Sequence, residues 1–468
     1  MEIIRARFGA GTHKVFLGFA LTCNMIVTGM LLLGGAAVVN GLTGMDISLA
    51  ALLIPVGVMI YTLVGGLKAT FVADYMHTVI IFIVILTFVS MVFFISPITG
   101  GVEGMYNKLV EAASLNPVLE PTFTPGEPGN AMGAYLTMAS AGGLIFGVIN
   151  IVGNFGTVFV DQAYWQRAIA AQPSATVKGF LLGGMCWFAI PFTLATTMGL
   201  TAVALDVALT PEQVQLGLVV PAAASVLMGE IGAVLVLVML FMAVTSAGSA
   251  ELIAVSSLIT YDVYRTYKNP KATGKQLLKV SRGVIVAFGL GMGMLAVVLL
   301  GMGLSLGFVY LAMGILIGSA VIPIALTITW SRTTRSGAVA GAIIGVMLSL
   351  LTWTSVASAE SGGVIDIASL GGAFPMLYGN VVAILSSGLI CVVISLAQNK
   401  KYDWKELDQH LSLVTDDMST DAVAEAQQRE QDEEQLKKAF KFSLKGGGIL
   451  TLIVIIFWPM PLYFSGYV

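Results

Sequence analysis

Glu251 lies well inside an apolar stretch, in the run Thr245-Ser246-Ala247-Gly248-Ser249-Ala250-Glu251. A charged group at bilayer depth costs about 2.5 to 3.5 kcal/mol even on the lenient scales, so such a residue is a functional candidate. Hydroxyls and the carbonyls of a loosened helix suit a hard cation. The alternative is that each hydroxyl bonds a carbonyl one turn back. Asn150 and Asn154 share a second stretch with Gly142, Gly143, Gly147, Gly153 and Gly156. Two amides there require a partner or a ligand. Asp161 closes that stretch, followed by Tyr164 and Trp165 as interfacial anchors and Arg167 as a possible ion partner. Asp74 follows Gly65-Gly66-Leu67-Lys68 and can pair with Lys68 or His77, or attract a cation at the membrane surface.

The elements that hold these residues are set by charge order. Of the 23 Lys and Arg residues, all but Lys108 fall in alternate gaps between apolar stretches. These gaps carry Arg5, Arg7 and Lys14, then Lys68, then Arg167 and Lys178, then Arg265 to Arg282, then Arg332 and Arg335, then Lys400 to Lys445. The intervening gaps hold acids such as Glu103, Glu111, Glu212, Glu230, Glu360 and Asp366. That alternation is the positive-inside pattern of a chain threading a membrane repeatedly. With 468 residues that are 57% hydrophobic and 10% charged, the chain cannot cover a globular surface with polar groups.

Eleven stretches reach the roughly 20 apolar residues of a span. They lie near 14–40, 47–66, 75–97, 131–160, 176–203, 230–262, 278–301, 305–330, 336–357, 374–397 and 446–466. The basic gaps put Met1 in the cytoplasm, and an odd number of spans puts Val468 outside. The fourth, sixth and eighth spans are expected to be broken, the sixth at Ala247-Gly248-Ser249. Ser96 to Asn130, rich in Pro and Gly, reads as an irregular external cap. Asp421 to Lys441 reads as a charged helix within a hydrophilic segment.

Other classes find little support. The charges form no basic patch for nucleic acid. Cys23, Cys186 and Cys391 have no metal or disulfide spacing. No phosphate-binding Gly-Lys-Ser/Thr motif is present, which argues against an ATP-driven pump, and nothing resembles an enzyme's active site. Met1 to Arg7 do not form a cleavable leader.

Several stretches together resemble the solute:sodium symporter family: Gly65-Gly66-Leu67-Lys68-Ala69-Thr70-Phe71-Val72-Ala73-Asp74, Asp161-Gln162 with Gln166-Arg167-Ala168, and Ala243 to Asp262 with Ser256-Ser257. Asn154 to Arg167 and Ser249 to Ser257 are most similar to its urea active transporter branch. The resemblance implies an all-α polytopic membrane protein with two inverted five-helix repeats. It also implies that the chain lacks the first helices of repeat one, because Glu2 to Gly9 resemble the loop after the second core helix. The missing helices are expected upstream or on a separate polypeptide. The expected organisation is a partial first repeat at 1–97, an extracellular loop at 98–130 and a complete second repeat at 131–330. Two accessory helices at 331–397, a cytoplasmic hydrophilic segment at 398–445 and a last span at 446–468 follow.

The resemblance further implies a symporter of the plasma (inner) membrane. It would couple Na⁺ or H⁺ to uptake of a small polar solute, urea first, with polyamines, amino acids or sugars as other options and with no cofactor. Its cation site would use the carbonyl of Ala243 and the hydroxyl of Ser246. Ala247 stands where the family has a second hydroxyl, which opens proton coupling through Glu251. Asp74 matches the acidic residue on the cytoplasmic cation path. Asn154, Thr157 and Tyr310 match positions near the solute, and with Asn150 and Asp161 complete the expected site. Urea is neutral and planar, so amides, hydroxyls and aromatics are the groups to bind it. The rivals are a passive urea channel and a non-transporting fragment or sensor.

Overall fold

In a computed structural model, the described residues are 1–171, 173–410 and 433–466. Eleven of their helices are long and apolar enough to cross a membrane: α1 (Glu2–Thr43), α2 (Ile47–Leu67), α3 (Ala69–Ile95), α4 (Ala141–Val160), α5 (Ala175–Ala204), α6 (Val219–Lys268), α7 (Gly274–Gly301), α8 (Leu306–Thr329), α9 (Arg335–Glu360), α10 (Ala373–Gln398) and α11 (Lys437–Ser465). Among the described residues the only β pairing is an isolated bridge between Asn130 and Ser140. This is an all-α membrane protein. In lipid every backbone polar group must be satisfied within the chain, and helices do that span by span.

Local sequence sets the ends. Asp46 caps α2 by accepting from Leu49 N at 2.9 Å, and Ser140 caps α4 by accepting from Gly143 N at 3.0 Å. The fourth span therefore starts at Ala141, ten residues later than hydropathy suggests, because 131–140 contribute only a short 3₁₀ turn and extended chain. Gly44, at φ 71°, ends α1 in the left-handed conformation that glycine adopts at no steric cost. Gly66, at φ 56° and ψ −167°, separates α2 from α3.

Of the three expected breaks, those in the fourth and sixth spans differ from expectation and the one in the eighth is present. The fourth span runs unbroken to Val160 and turns at Asp161, which caps a short helix, Gln162–Ala170. Helix α6 departs from helical geometry at Gly229 (φ 60°, ψ −137°) and continues through Ala247-Gly248-Ser249. Small residues at those positions serve packing instead: a Cβ on Gly248 would come to 3.3 Å from the side chain of Val58 on α2. Helix α8 tightens into a 3₁₀ turn at Gly318–Ala320. The external segment also holds a helix, Gly101–Leu115, which buries Met105 and Leu109.

The helices α9 and α10 approach closely through Gly337, Gly341 and Gly345 at four-residue spacing. A Cβ at Gly341 would stand 2.6 Å from Ser387 O, and one at Gly345 would stand 2.8 Å from Ser387 Cβ. Helix α11 rests on α5, with Trp458 against Phe188 and Phe192 at ring-centroid distances of 5.7 and 4.7 Å. Of the charged stretch Asp421 to Lys441, residues from Glu433 onward are helical. The rest of that expected helix lies outside the described residues.

Candidate functional site

The most deeply buried polar cluster joins three elements. Asn24 on α1, Asp161 at the end of α4 and Glu251 on α6 are 0%, 1% and 3% exposed. The Asn24 side-chain amide donates to Asp161 Oδ1 at 2.8 Å and to Glu251 Oε2 at 2.6 Å. Asp161 Oδ1 also accepts from Ala163 N at 2.7 Å, so the helix turn that ends α4 is what aims this carboxyl inward. Gln166 ties the short helix to α6 by donating to Ile253 O at 3.3 Å. Among the described residues no cationic side chain pairs with either carboxyl, and Asn24 Oδ1 has no partner. Two carboxyls facing one amide with no counter-charge are costly as a pair of anions.

A second cluster is organised differently. Asp74 on α3 meets Arg167 Nη1 at 2.5 Å and accepts from Ser246 Oγ on α6 at 2.5 Å. The Arg167 and Asp74 side chains are 27% and 16% exposed. Arg167 also stacks over Phe71, its guanidinium carbon 5.5 Å from the ring centroid. The pairings expected for Asp74 with His77 and for Arg167 with Asp161 are therefore replaced by a pairing of Asp74 with Arg167, and the side chain of Lys68 lies outside the described residues. The loop break at Gly66 and the turn at Asp161 bring the two together across 93 residues of chain.

Ser246 and Glu251 lie on one helix but serve separate clusters. The Ser246 hydroxyl is engaged by Asp74, Ser249 Oγ bonds back to Ser246 O at 3.0 Å, and Ala247 offers no side-chain oxygen. Ala243 lies in the same unbroken part of α6. Among the described residues no group of three or more His, Cys, Asp or Glu could hold a metal ion.

A third cluster lies between α4 and α8. Tyr310 Oη donates to Asn150 Oδ1, and Asn154 Nδ2 reaches the same oxygen at 3.5 Å. Phe146 stacks on Tyr310 with centroids 6.3 Å apart. Thr157 bonds back to Asn154 O at 2.9 Å. Asn150, Asn154 and Tyr310 thus come together, Thr157 lies one turn along the same helix, and Asp161 belongs to the Asn24 cluster. Sequence reasoning missed Asn24 and Phe146. Asn24 carried the same signal as Asn150, an amide within an apolar run.

Eleven membrane-length helices with polar side chains buried between them define a polytopic membrane fold of the kind transporters use. The pattern of the family described as "Sodium:solute symporter family" matches residues 1–345, and the chain belongs to that family. It is 50% identical over 464 residues to "Urea-proton symporter DUR3" of Oryza sativa subsp. japonica, covering 98% of this chain and 63% of that protein. It is 42% identical over 481 residues to "Probable urea active transporter 1" of Schizosaccharomyces pombe, covering 100% and 69%. It is 41% identical over 418 residues to "Urea active transporter" of Saccharomyces cerevisiae, covering 87% and 55%. The chain thus spans less than two thirds of the length of the rice and budding-yeast relatives. Among solved structures, one described as the substrate-bound outward-open state of a Na⁺-coupled sialic acid symporter superposes with a TM-score of 0.59 at 16% identity. That match covers 83% of this chain and 76% of the other. It shows the shared fold.

Proposed function

We propose that this chain is a secondary active symporter that couples inward movement of H⁺, ahead of Na⁺, to uptake of a small polar solute, urea first, by alternating access. The observation that carries the reading is the Asn24, Asp161 and Glu251 cluster, a buried carboxyl pair held by one neutral amide. Such a pair binds one proton without the cage of oxygens that Na⁺ requires. The sodium alternative, with Ala243 and Ser246 as ligands, is weakened because Ser246 is bonded to Asp74 and Ala247 has no hydroxyl. The names of the rice and yeast relatives support urea and, for the rice protein, the proton.

In this reading the proton joins the two carboxyls through a hydrogen bond and holds α1 and α6 against the end of α4. Loss of the proton leaves two like charges that drive those elements apart. The Arg167 and Asp74 pair, with Ser246, acts as a latch on the basic side of the membrane. Asn150, Asn154, Thr157 and Tyr310 would receive the solute with amides, hydroxyls and the ring of Phe146. Proton and solute stabilise the same state, so each raises the other's affinity by one common factor.

We further propose the inverted-repeat division with 1–97 as the partial first repeat, 131–330 as the second, and 331–397 as accessory helices. The charge order supports the basic gaps, including 398–445, on the cytoplasmic side of the plasma membrane, with Val468 outside. The comparisons lend no support to a separate polypeptide supplying further helices. The test is uptake of labelled urea into proteoliposomes with an imposed pH gradient. Accumulation above equilibrium that collapses with a protonophore is expected. Equilibration alone would instead identify a passive channel.

A further inference from the structure

The face that carries Arg5, Arg332 and Lys400 contains a cleft of about 830 Å³ that lies away from all three polar clusters. It opens between the start of α1, the start of α9 and the segment after α10. We propose that this cleft is a binding site for a phosphate group, supplied by an anionic lipid headgroup or by soluble phosphate.

The charge is one-sided. Arg335, Lys400 and Lys401 line the cleft, no carboxylate lines it among the described residues, and none of the three makes an ion pair there. Arg335 is exposed and its guanidinium reaches back over Gly11 on α1, where a Cβ would come to 2.7 Å of Nη2. Arg7 is not part of this free charge, because its guanidinium caps the carbonyls of Trp330 and Thr333, each at 2.9 Å. It is also covered by Tyr402 and Trp404.

Two sets of neutral donors face the same space. Thr334 caps the 26-residue helix α9, and the first N–H groups of that helix have no partner within it, which makes its start favourable to an anion. Independently, Thr12 lines the cleft, is fully buried, and its hydroxyl has no hydrogen-bond partner. A buried hydroxyl without a partner is costly unless a ligand or water satisfies it. Cations, a helix start and an unsatisfied hydroxyl line one cleft, and these are the kinds of group that phosphate oxygens take as partners. Basic pockets between membrane helices take lipid headgroups on this physical basis.

The test uses the full chain. Purified protein is titrated with dioleoyl phosphatidic acid, with dioleoyl phosphatidylcholine as the reference lipid, and bound lipid is counted by native mass spectrometry. In parallel, inorganic phosphate is added to the protein in phosphatidylcholine nanodiscs and followed by phosphorus NMR line broadening. Arg335→Gln and Lys401→Gln are each expected to weaken anion binding about fivefold, the loss of roughly 1 kcal/mol per charge. Arg335→Lys should retain it, and Lys279→Gln, near the start of α7, should leave it unchanged. Binding of phosphatidic acid without phosphate broadening assigns the site to lipid, and broadening in nanodiscs assigns it to soluble phosphate. Binding of neither probe, or equal losses in Arg335→Gln and Lys279→Gln, would overturn the proposal.

Discussion

The buried cluster of Asn24, Asp161 and Glu251 and the half-exposed cluster of Asp74, Arg167 and Ser246 use the same chemistry to opposite ends. Both place carboxylates where helices meet, and both draw on α6. The difference is the counter-charge. Asp74 has an arginine at 2.5 Å, so its charge is balanced within the protein. Glu251 and Asp161 have an amide between them and, among the described residues, no cation bonded to either, and in the proposed function a proton supplies the positive charge. In the proposed function the first cluster binds the coupling ion and the second holds a conformation.

Substitutions break that contrast in order of expected effect. Glu251→Gln keeps the hydrogen-bonding shape and removes the titrating group, so accumulation of urea should fall to background while the protein still purifies as a folded species. Wild-type accumulation would remove Glu251 from the mechanism. Asn24→Ala deletes two hydrogen bonds to carboxyls, each of which is typically worth about 1.5 to 3 kcal/mol. Uptake should drop about 100-fold or more, and a change below twofold would show that the amide does not organise the pair.

Tyr310→Phe tests the third cluster. Loss of one neutral hydrogen bond, about 0.5 to 1.5 kcal/mol, should raise KM for urea roughly two- to tenfold with kcat nearly unchanged. A fall in kcat alone would place Tyr310 outside the solute site. Asp74→Asn should have the smallest effect, a change of about fivefold or less in rate, because a partly exposed pair contributes at most about 1 kcal/mol. Its rate should also lose the salt sensitivity expected of the wild type, since added salt screens the half-exposed pair and leaves the buried cluster untouched. Ser246→Ala should follow Asp74→Asn. A loss of Na⁺ dependence in Ser246→Ala would instead favour the sodium site.

The spans were legible in the sequence because hydropathy and the order of Lys and Arg both report directly on the solvent around each segment. Glu251 and Asp74 stood out for the same reason: charges near apolar runs are rare. Which residues each would meet was not legible. Asp74 pairs with Arg167, 93 positions away, through a contact created by the Gly66 break and the Asp161 turn. Asn24 carried only the signal of an amide in a long apolar run, and the fold alone puts it between two carboxyls. The break in α6 was misplaced because small residues at 247–249 serve helix packing as readily as unwinding. Gly229, outside that cluster, carries the positive φ instead.

Proton movement driven by the solute tests the central claim most directly. Proteoliposomes with no imposed gradient, in weak buffer, receive urea while external pH is recorded. Alkalinisation outside is expected for the native chain, and none for Glu251→Gln at equal protein incorporation. Equal alkalinisation in both, or a signal that follows Na⁺ at fixed pH, would contradict the assignment of the coupling ion to the Asn24, Asp161 and Glu251 cluster.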